Sequence, residues 1–158
     1  MIIDFWSIPI YYISFSRKKD IEEYYKKYGF RDVTHFPAVR GKDFDVEKLR
    51  ADNLISIRCY DDLKSGRRQH SGMPGLGGIG CTMSHYALWN LCIEKNWPCI
   101  IIAEEDSVFQ TEIKPEKIME TLNKPGAIFI SSKLRKFEHY KNSFLGTQFY
   151  IPTLKACE

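Results

Sequence analysis

The five cysteines, Cys59, Cys81, Cys92, Cys99 and Cys157, include no C-x-x-C pair. An odd count without paired spacing argues against a disulfide framework or a zinc site, and predicts buried free thiols in a reducing compartment. Charge of one sign is also scarce. Lysine and arginine exceed aspartate and glutamate by only three, which is too mild a balance to imply nucleic-acid binding. Long hydrophobic runs are missing as well. The apolar opening MIIDFWSIPIYYISF is broken by Asp4 and follows no basic region, so it reads neither as a secretory signal nor as a membrane span. No internal repeat or low-complexity tract is present. With 158 residues, 44% hydrophobic and 27% charged, the expectation is one soluble, cytoplasmic domain able to bury its own core.

The most informative stretch runs from Gly75 to Phe109. It reads as a glycine-dense loop, an amphipathic helix from about Thr82 to Lys95, and a short strand, Cys99 to Ala103. The helix places Ser84, Ala87, Leu88, Leu91 and Cys92 on one face. The strand is apolar and β-branched, as expected of one covered on both faces, and it ends in Glu104-Glu105-Asp106. Carboxylates at the C-terminal edge of such a strand lie where open α/β sheets bind ligands. Crowded carboxylates repel unless a cation or proton donor joins them. In a regular strand Glu104 and Asp106 would share one side, with Glu105 turned away. Such a pair suits Mg²⁺ or Mn²⁺ carrying a phosphate-bearing substrate; the bland alternative is a surface acidic pair.

The rest of the chain reads as alternating elements. Pro9 to Phe15 predicts a first strand, followed by a helix with Ser16 or Asp20 as its cap. Ile21, Tyr24, Tyr25 and Tyr28 form its stripe, and Gly29 ends it. Val33 to Val39 is a second strand, so the opening is a crossover unit of an α/β fold. Asp43 to Gly72 is polar, with a short helix within Asp45 to Leu54 and a basic loop from Lys64 to Gly72. Beyond the carboxylates come a helix over Pro115 to Leu122, strands at Ala127 to Ile130 and Gly146 to Pro152, and a helix opening at Thr153. Lys133 to Lys141 reads as another basic loop. Trp89 and Trp97 read as packing aromatics.

Gly75 to Gly80 spells G-x-G-x-x-G, but no apolar strand precedes it, as a dinucleotide-binding oxidoreductase would require. Amides exposed at a helix start still favour phosphate; the bland reading is a tight turn. Ser84 and His85 fall in the first turn of the predicted helix. They either face donor phosphates or serve the fold, Ser84 bonding the helix backbone and His85 packing.

GGIGCTMSHYALW followed by IIIAEED resembles the core of glycosyltransferase family 25, which includes lipooligosaccharide and collagen hydroxylysine galactosyltransferases. Phe36-Pro37-Ala38-Val39-Arg40-Gly41 and Gly146 to Ile151 fit the same pattern, over nearly the whole chain. The resemblance implies a glycosyltransferase-A-like (Rossmann-like) α/β fold with a mixed, mainly parallel sheet flanked by helices. It implies a metal-assisted transfer of galactose or glucose from a UDP-sugar to a hydroxyl of a glycan or protein. Asp106 would ligate Mn²⁺ or Mg²⁺, and Glu104 would hold the ribose or a metal-bound water. Ser14, Phe15, Arg17, Ala38, Val39, Gly80, Ser84, His85 and Glu105 would line the donor.

Three positions depart from the family pattern. Gly78 stands where an acidic residue is usual, Arg40 where aspartate is, and Glu105 where the middle aspartate is. The family's C-terminal part is expected to be absent. These departures support a rival reading, a non-catalytic nucleotide-binding or protein-interaction remnant; Glu104 and Asp106 argue against it. No residue stands out as the catalytic base.

Overall fold

A computed structural model describes residues 4–67, 75–107, 109, 112–124, 128–130 and 149–158, with 128–130 described by their backbone alone. The described strands and α-helices, in order, are β1 (Ile10–Ser14), α1 (Lys19–Lys27), β2 (Val33–Pro37), α2 (Val46–Ala51), α3 (Ile57–Ser65), α4 (Leu76–Glu94), β3 (Ile101–Glu104), α5 (Pro115–Leu122), β4 (Ile128–Ile130), β5 (Phe149–Pro152) and α6 (Leu154–Cys157). The chain divides into two compact units. One comprises Met1–Pro37 and Leu88–Glu158, the other Ala38–Ala87.

The first unit holds a five-stranded sheet in the order β2-β1-β3-β5-β4. β1 pairs in parallel with both β2 and β3, whereas β5 runs antiparallel to β3 and β4. Four strands therefore point one way, giving the mixed, mainly parallel sheet of a glycosyltransferase-A-like α/β fold. Ile101, Ile102 and Ala103 are wholly buried, which explains why the central strand carries an unbroken apolar run. Each such isoleucine contributes roughly 1.5–3 kcal/mol by leaving water.

On one side of this sheet the core is unusually aromatic. Phe109 sits among Tyr24, Tyr25, Tyr28, Phe30 and Phe149, with ring centroids 4.9–6.4 Å apart. The α1 stripe supplies Tyr24, Tyr25 and Tyr28, and Gly29 follows the helix at φ +106°, as a glycine can. Trp6 packs edge-on against Phe5 and Phe30. Trp89 donates its indole hydrogen to the Tyr150 hydroxyl at 2.8 Å, and Trp97 lies beside Tyr11, so both are packing residues as expected.

One expectation for α1 fails. Neither Ser16 nor Asp20 caps it; Lys18 holds the cap position without a side-chain bond, and Asp20 lies inside the first turn. The start is set by a tertiary contact. The Lys18 amide donates to the hydroxyl of buried Tyr12 at 3.0 Å.

In the second unit, Asp45 caps α2 by accepting the Glu47 and Lys48 amides, and Ser56 caps α3 by accepting that of Cys59. Glu47 accepts from the Tyr60 hydroxyl and the Lys64 ammonium, which ties the two helices together. The expected basic loop therefore begins as helix. Lys64 and Ser65 end α3, and Gly66 closes it at φ +64°; residues 68–72 lie outside the described residues.

The glycine-dense stretch is also helix, not loop. α4 begins at Leu76, six residues before Thr82. Glycine costs a helix about 1 kcal/mol per residue, so another requirement must dominate. It is backbone contact. A Cβ at Gly80 would lie 2.4 Å from the Val39 carbonyl oxygen, and one at Gly41 1.6 Å from that of Leu76.

Candidate functional site

β1 and β3 are parallel neighbours with Ile13 opposite Glu104, so their C-terminal ends form one edge of the sheet. Ser14 ends β1, and the loop carrying Phe15 and Arg17 leaves from the same edge at which Glu104 ends β3. The strand stops at Glu104. The Ser107 amide donates to the Glu104 carbonyl at 3.0 Å, and the Glu104 amide donates to the Ser107 hydroxyl at 3.1 Å. Glu105 and Asp106 thus occupy a tight turn, and the strand alternation expected for Glu104 and Asp106 does not reach them. Glu104 is half-buried; Glu105 and Asp106 are exposed.

Charge within this turn is partly neutralised. The Lys18 ammonium lies 2.5 Å from a Glu105 carboxylate oxygen, linking the loop after β1 to the turn after β3. α1 holds the following residues. Tyr25 donates to the Ser107 carbonyl at 3.4 Å, and the Phe109 amide donates to the Tyr24 hydroxyl at 2.6 Å. Burial pushes the Tyr25 hydroxyl well above its ordinary pKa, so it stays a donor.

The loop after β1 is built from the same logic. The Ser14 hydroxyl donates to the Ser16 carbonyl at 2.6 Å, and the His35 ring donates to the Ser14 carbonyl at 3.0 Å. Arg17 forks onto Glu22 with bonds of 2.7 and 3.0 Å, while Tyr12 donates to the same carboxylate at 3.0 Å. The Arg17 guanidinium is the main reason the Glu22 carboxyl falls to about 2. Arg17 is therefore an anchor of its own loop, with its outer edge in solvent. Phe15 is 67% exposed, which is unusual for a phenylalanine.

The second unit gathers Val39, Gly80 and Ser84. The Val39 amide donates to the Ser84 hydroxyl at 2.9 Å, and that hydroxyl donates to the Gly80 carbonyl at 2.8 Å. Because α4 starts at Leu76, Ser84 and His85 lie in its third turn, not among the free amides of its first. Ser84 bonds the helix backbone, the simpler of its two readings, and fixes the Val39 turn as well. His85 is buried, one turn beyond exposed Cys81. Ala38, next to Val39 in sequence, is half-buried.

Sequence reading missed Lys18, Glu22 and Ser107. A serine directly after an acidic triplet is a turn signal, and Ser107 could have been found that way. Lys18 and Glu22 act through contacts between elements and leave no local pattern. Glu104 and Asp106 offer carboxylate oxygen, the donor type a hard cation prefers, and Glu105 is paired with Lys18. Among the described residues, no helix is long and apolar enough to cross a membrane.

A model of the family described as Glycosyltransferase family 25 (LPS biosynthesis protein) matches residues 8–156. A Glycosyltransferase 25 family member from Drosophila melanogaster is 30% identical over 94 residues, covering 60% of this chain and 14% of the fly protein. Procollagen galactosyltransferase 2 of Mus musculus is 28% identical over 120 residues, 73% of this chain and 18% of the mouse protein. Its human counterpart is 27% identical over 117 residues, 72% and 18% respectively. The chain thus spans 14–18% of the length of these relatives.

Proposed function

Because this chain belongs to glycosyltransferase family 25, we propose that it transfers galactose or glucose from a UDP-sugar to a hydroxyl of a glycan or protein acceptor. The observation that carries the proposal is the acidic turn at the C-terminal end of β3, beside the end of β1. There the sheet edge presents the carboxylates of Glu104 and Asp106 at the place where α/β sheets bind ligands.

The donor set fits Mn²⁺ or Mg²⁺, both of which prefer oxygen. When bound, such a cation would neutralise charge on the leaving diphosphate. Glu104 and Asp106 would hold it. Lys18 offsets the charge of Glu105 and so lessens the repulsion among the three carboxylates of the turn. Phe15 would offer its exposed ring to the donor's base, and Ser14 would fix that ring's backbone through the Ser16 carbonyl. The outer edge of Arg17 would face the diphosphate.

In the second unit, Ala38, Val39, Gly80, Ser84 and His85 remain proposed donor-binding residues on the family resemblance. Ser84 would act by holding the Val39 turn. A cytoplasmic location belongs to the same proposal, supported by five free thiols.

The rival reading, a nucleotide-binding or protein-interaction module without transfer activity, is favoured by Gly78 and Arg40 at positions where the family is usually acidic. Titration calorimetry with UDP-galactose and UDP-glucose, with and without Mn²⁺, tests the donor site. Manganese-dependent binding supports it, and a well-folded protein that binds neither sugar nucleotide excludes it. Release of UDP in the presence of acceptor would then separate the transferase from the binding module.

A further inference from the structure

The loop between β1 and α1 is held by a buried carboxylate. The Glu22 side chain, on α1, is 9% exposed. Its Oε1 accepts the Tyr12 hydroxyl at 3.0 Å and the Arg17 Nε–H at 2.7 Å, and its Oε2 accepts a terminal Arg17 nitrogen at 3.0 Å. The Tyr12 hydroxyl accepts the Lys18 amide at 3.0 Å, so a relay runs from the Lys18 backbone through Tyr12 to Glu22. Tyr12 is wholly buried, and burial raises its hydroxyl above the ordinary pKa, so it stays a donor to the carboxylate. The Ser16 carbonyl accepts the Ser14 hydroxyl at 2.6 Å. Ser16, Arg17 and Lys18 are thus each fixed by a residue of β1 or α1.

A buried ion pair is a poor way to stabilise a fold, because desolvation offsets most of the attraction. What this one contributes is direction. The two-pronged bond sets the plane of the guanidinium, and Glu22 takes its inner edge while the Arg17 side chain remains 69% exposed. The same loop is tied to the acidic turn by the Lys18–Glu105 pair. A loose arginine there would be drawn toward the carboxylates of that turn. With its fork filled by Glu22, Arg17 keeps its outer edge for an incoming anion.

We infer that Glu22, seated by Tyr12, is a positioning residue that aims Arg17 at the diphosphate of the sugar nucleotide. Resting on the donor site proposed above, this assignment makes diphosphate recognition depend on a residue that touches no ligand. It also divides the loop by task. Phe15, 67% exposed, serves the base, and the Glu22–Arg17 pair serves the diphosphate.

Two readouts test it on the whole chain, with circular dichroism to verify that each variant folds. The first needs no ligand. Native trypsin digestion mapped by mass spectrometry should cut after Arg17 and Lys18 several-fold faster in Glu22→Gln than in wild type. Tyr12→Phe, which alters no charge, should shift cleavage the same way to a smaller extent. The second is calorimetry with UDP and with uridine in the presence of Mn²⁺. Glu22→Gln should weaken UDP roughly tenfold and leave uridine within about twofold of wild type. Arg17→Ala should lose as much, and the double variant should lose no more than Arg17→Ala alone. Unchanged cleavage, equal losses for UDP and uridine, or additive losses in the double variant would overturn the inference while leaving the donor site standing. A folded wild type that binds neither compound would sink the donor site itself, and the positioning role with it.

Discussion

Phe109 donates its backbone amide to the Tyr24 hydroxyl at 2.6 Å while its ring stacks on that of Tyr24, centroids 5.9 Å apart. One helix residue therefore grips the chain just past the acidic turn by both a polar and an apolar contact. Replacing Tyr24 with Phe keeps the ring and removes the acceptor. We expect a stability loss of about 1 kcal/mol by urea titration, together with weaker manganese-dependent donor binding. A stability loss with unchanged donor binding would show that the grip serves only the fold.

The three carboxylates of the turn should separate by role. Asp106→Asn should abolish manganese-dependent binding of UDP-sugar in calorimetry. Glu105→Gln removes only an exposed ion pair with Lys18, costing less than about 1 kcal/mol, and should leave binding within a few-fold of wild type. Equal losses in both variants would argue that the turn senses net charge and not a specific ligand.

Two glycines one helical turn apart should respond in opposite directions. No described atom lies within 4 Å of a Cβ placed at Gly77, so Gly77→Ala should stabilise α4 by roughly 0.5–1 kcal/mol. At Gly80 the added carbon meets the Val39 carbonyl and the Gly41 amide, backbone that has no flexible end to yield. Gly80→Ala should cost on the order of 2–4 kcal/mol or prevent folding of the second unit. Thermal melts of the two variants would decide.

Acid should weaken the loop after β1 through Glu22. Its carboxyl falls from 4.5 to about 2 in the folded chain, chiefly because Arg17 bonds it. A lowered folded pKa contributes stability above 4.5 that is lost as pH falls from 4.5 toward 2. The melting temperature of wild type should therefore drop over that window more steeply than that of Glu22→Gln. Parallel pH profiles would remove Glu22 from the account.

Much of the sheet was legible because its strands are apolar runs with clear boundaries. Ile101 to Ala103 reads as a buried central strand and is one, and Pro115–Leu122 was foreseen to the residue. What failed depends on contacts that local pattern does not contain. α3 lies in a polar stretch, and its Ser56 cap was the available cue. The early start of α4 contradicts glycine's helix propensity, and it makes sense only once the Val39–Gly41 backbone is seen against Gly80. In the candidate site, the acidic triplet was legible as chemistry. Its geometry was not, because Ser107 turns the chain at the residue where strand alternation was expected to continue.

All three tryptophans, Trp6, Trp89 and Trp97, belong to the first unit, so residues 38–87 have no indole of their own. Tryptophan emission will consequently follow the sheet and its aromatic side while reporting nothing directly about α2 or α3. Far-ultraviolet ellipticity counts those helices. A fluorescence midpoint that differs from the ellipticity midpoint would reveal that the two units melt separately, and a melt followed by emission alone would miss it.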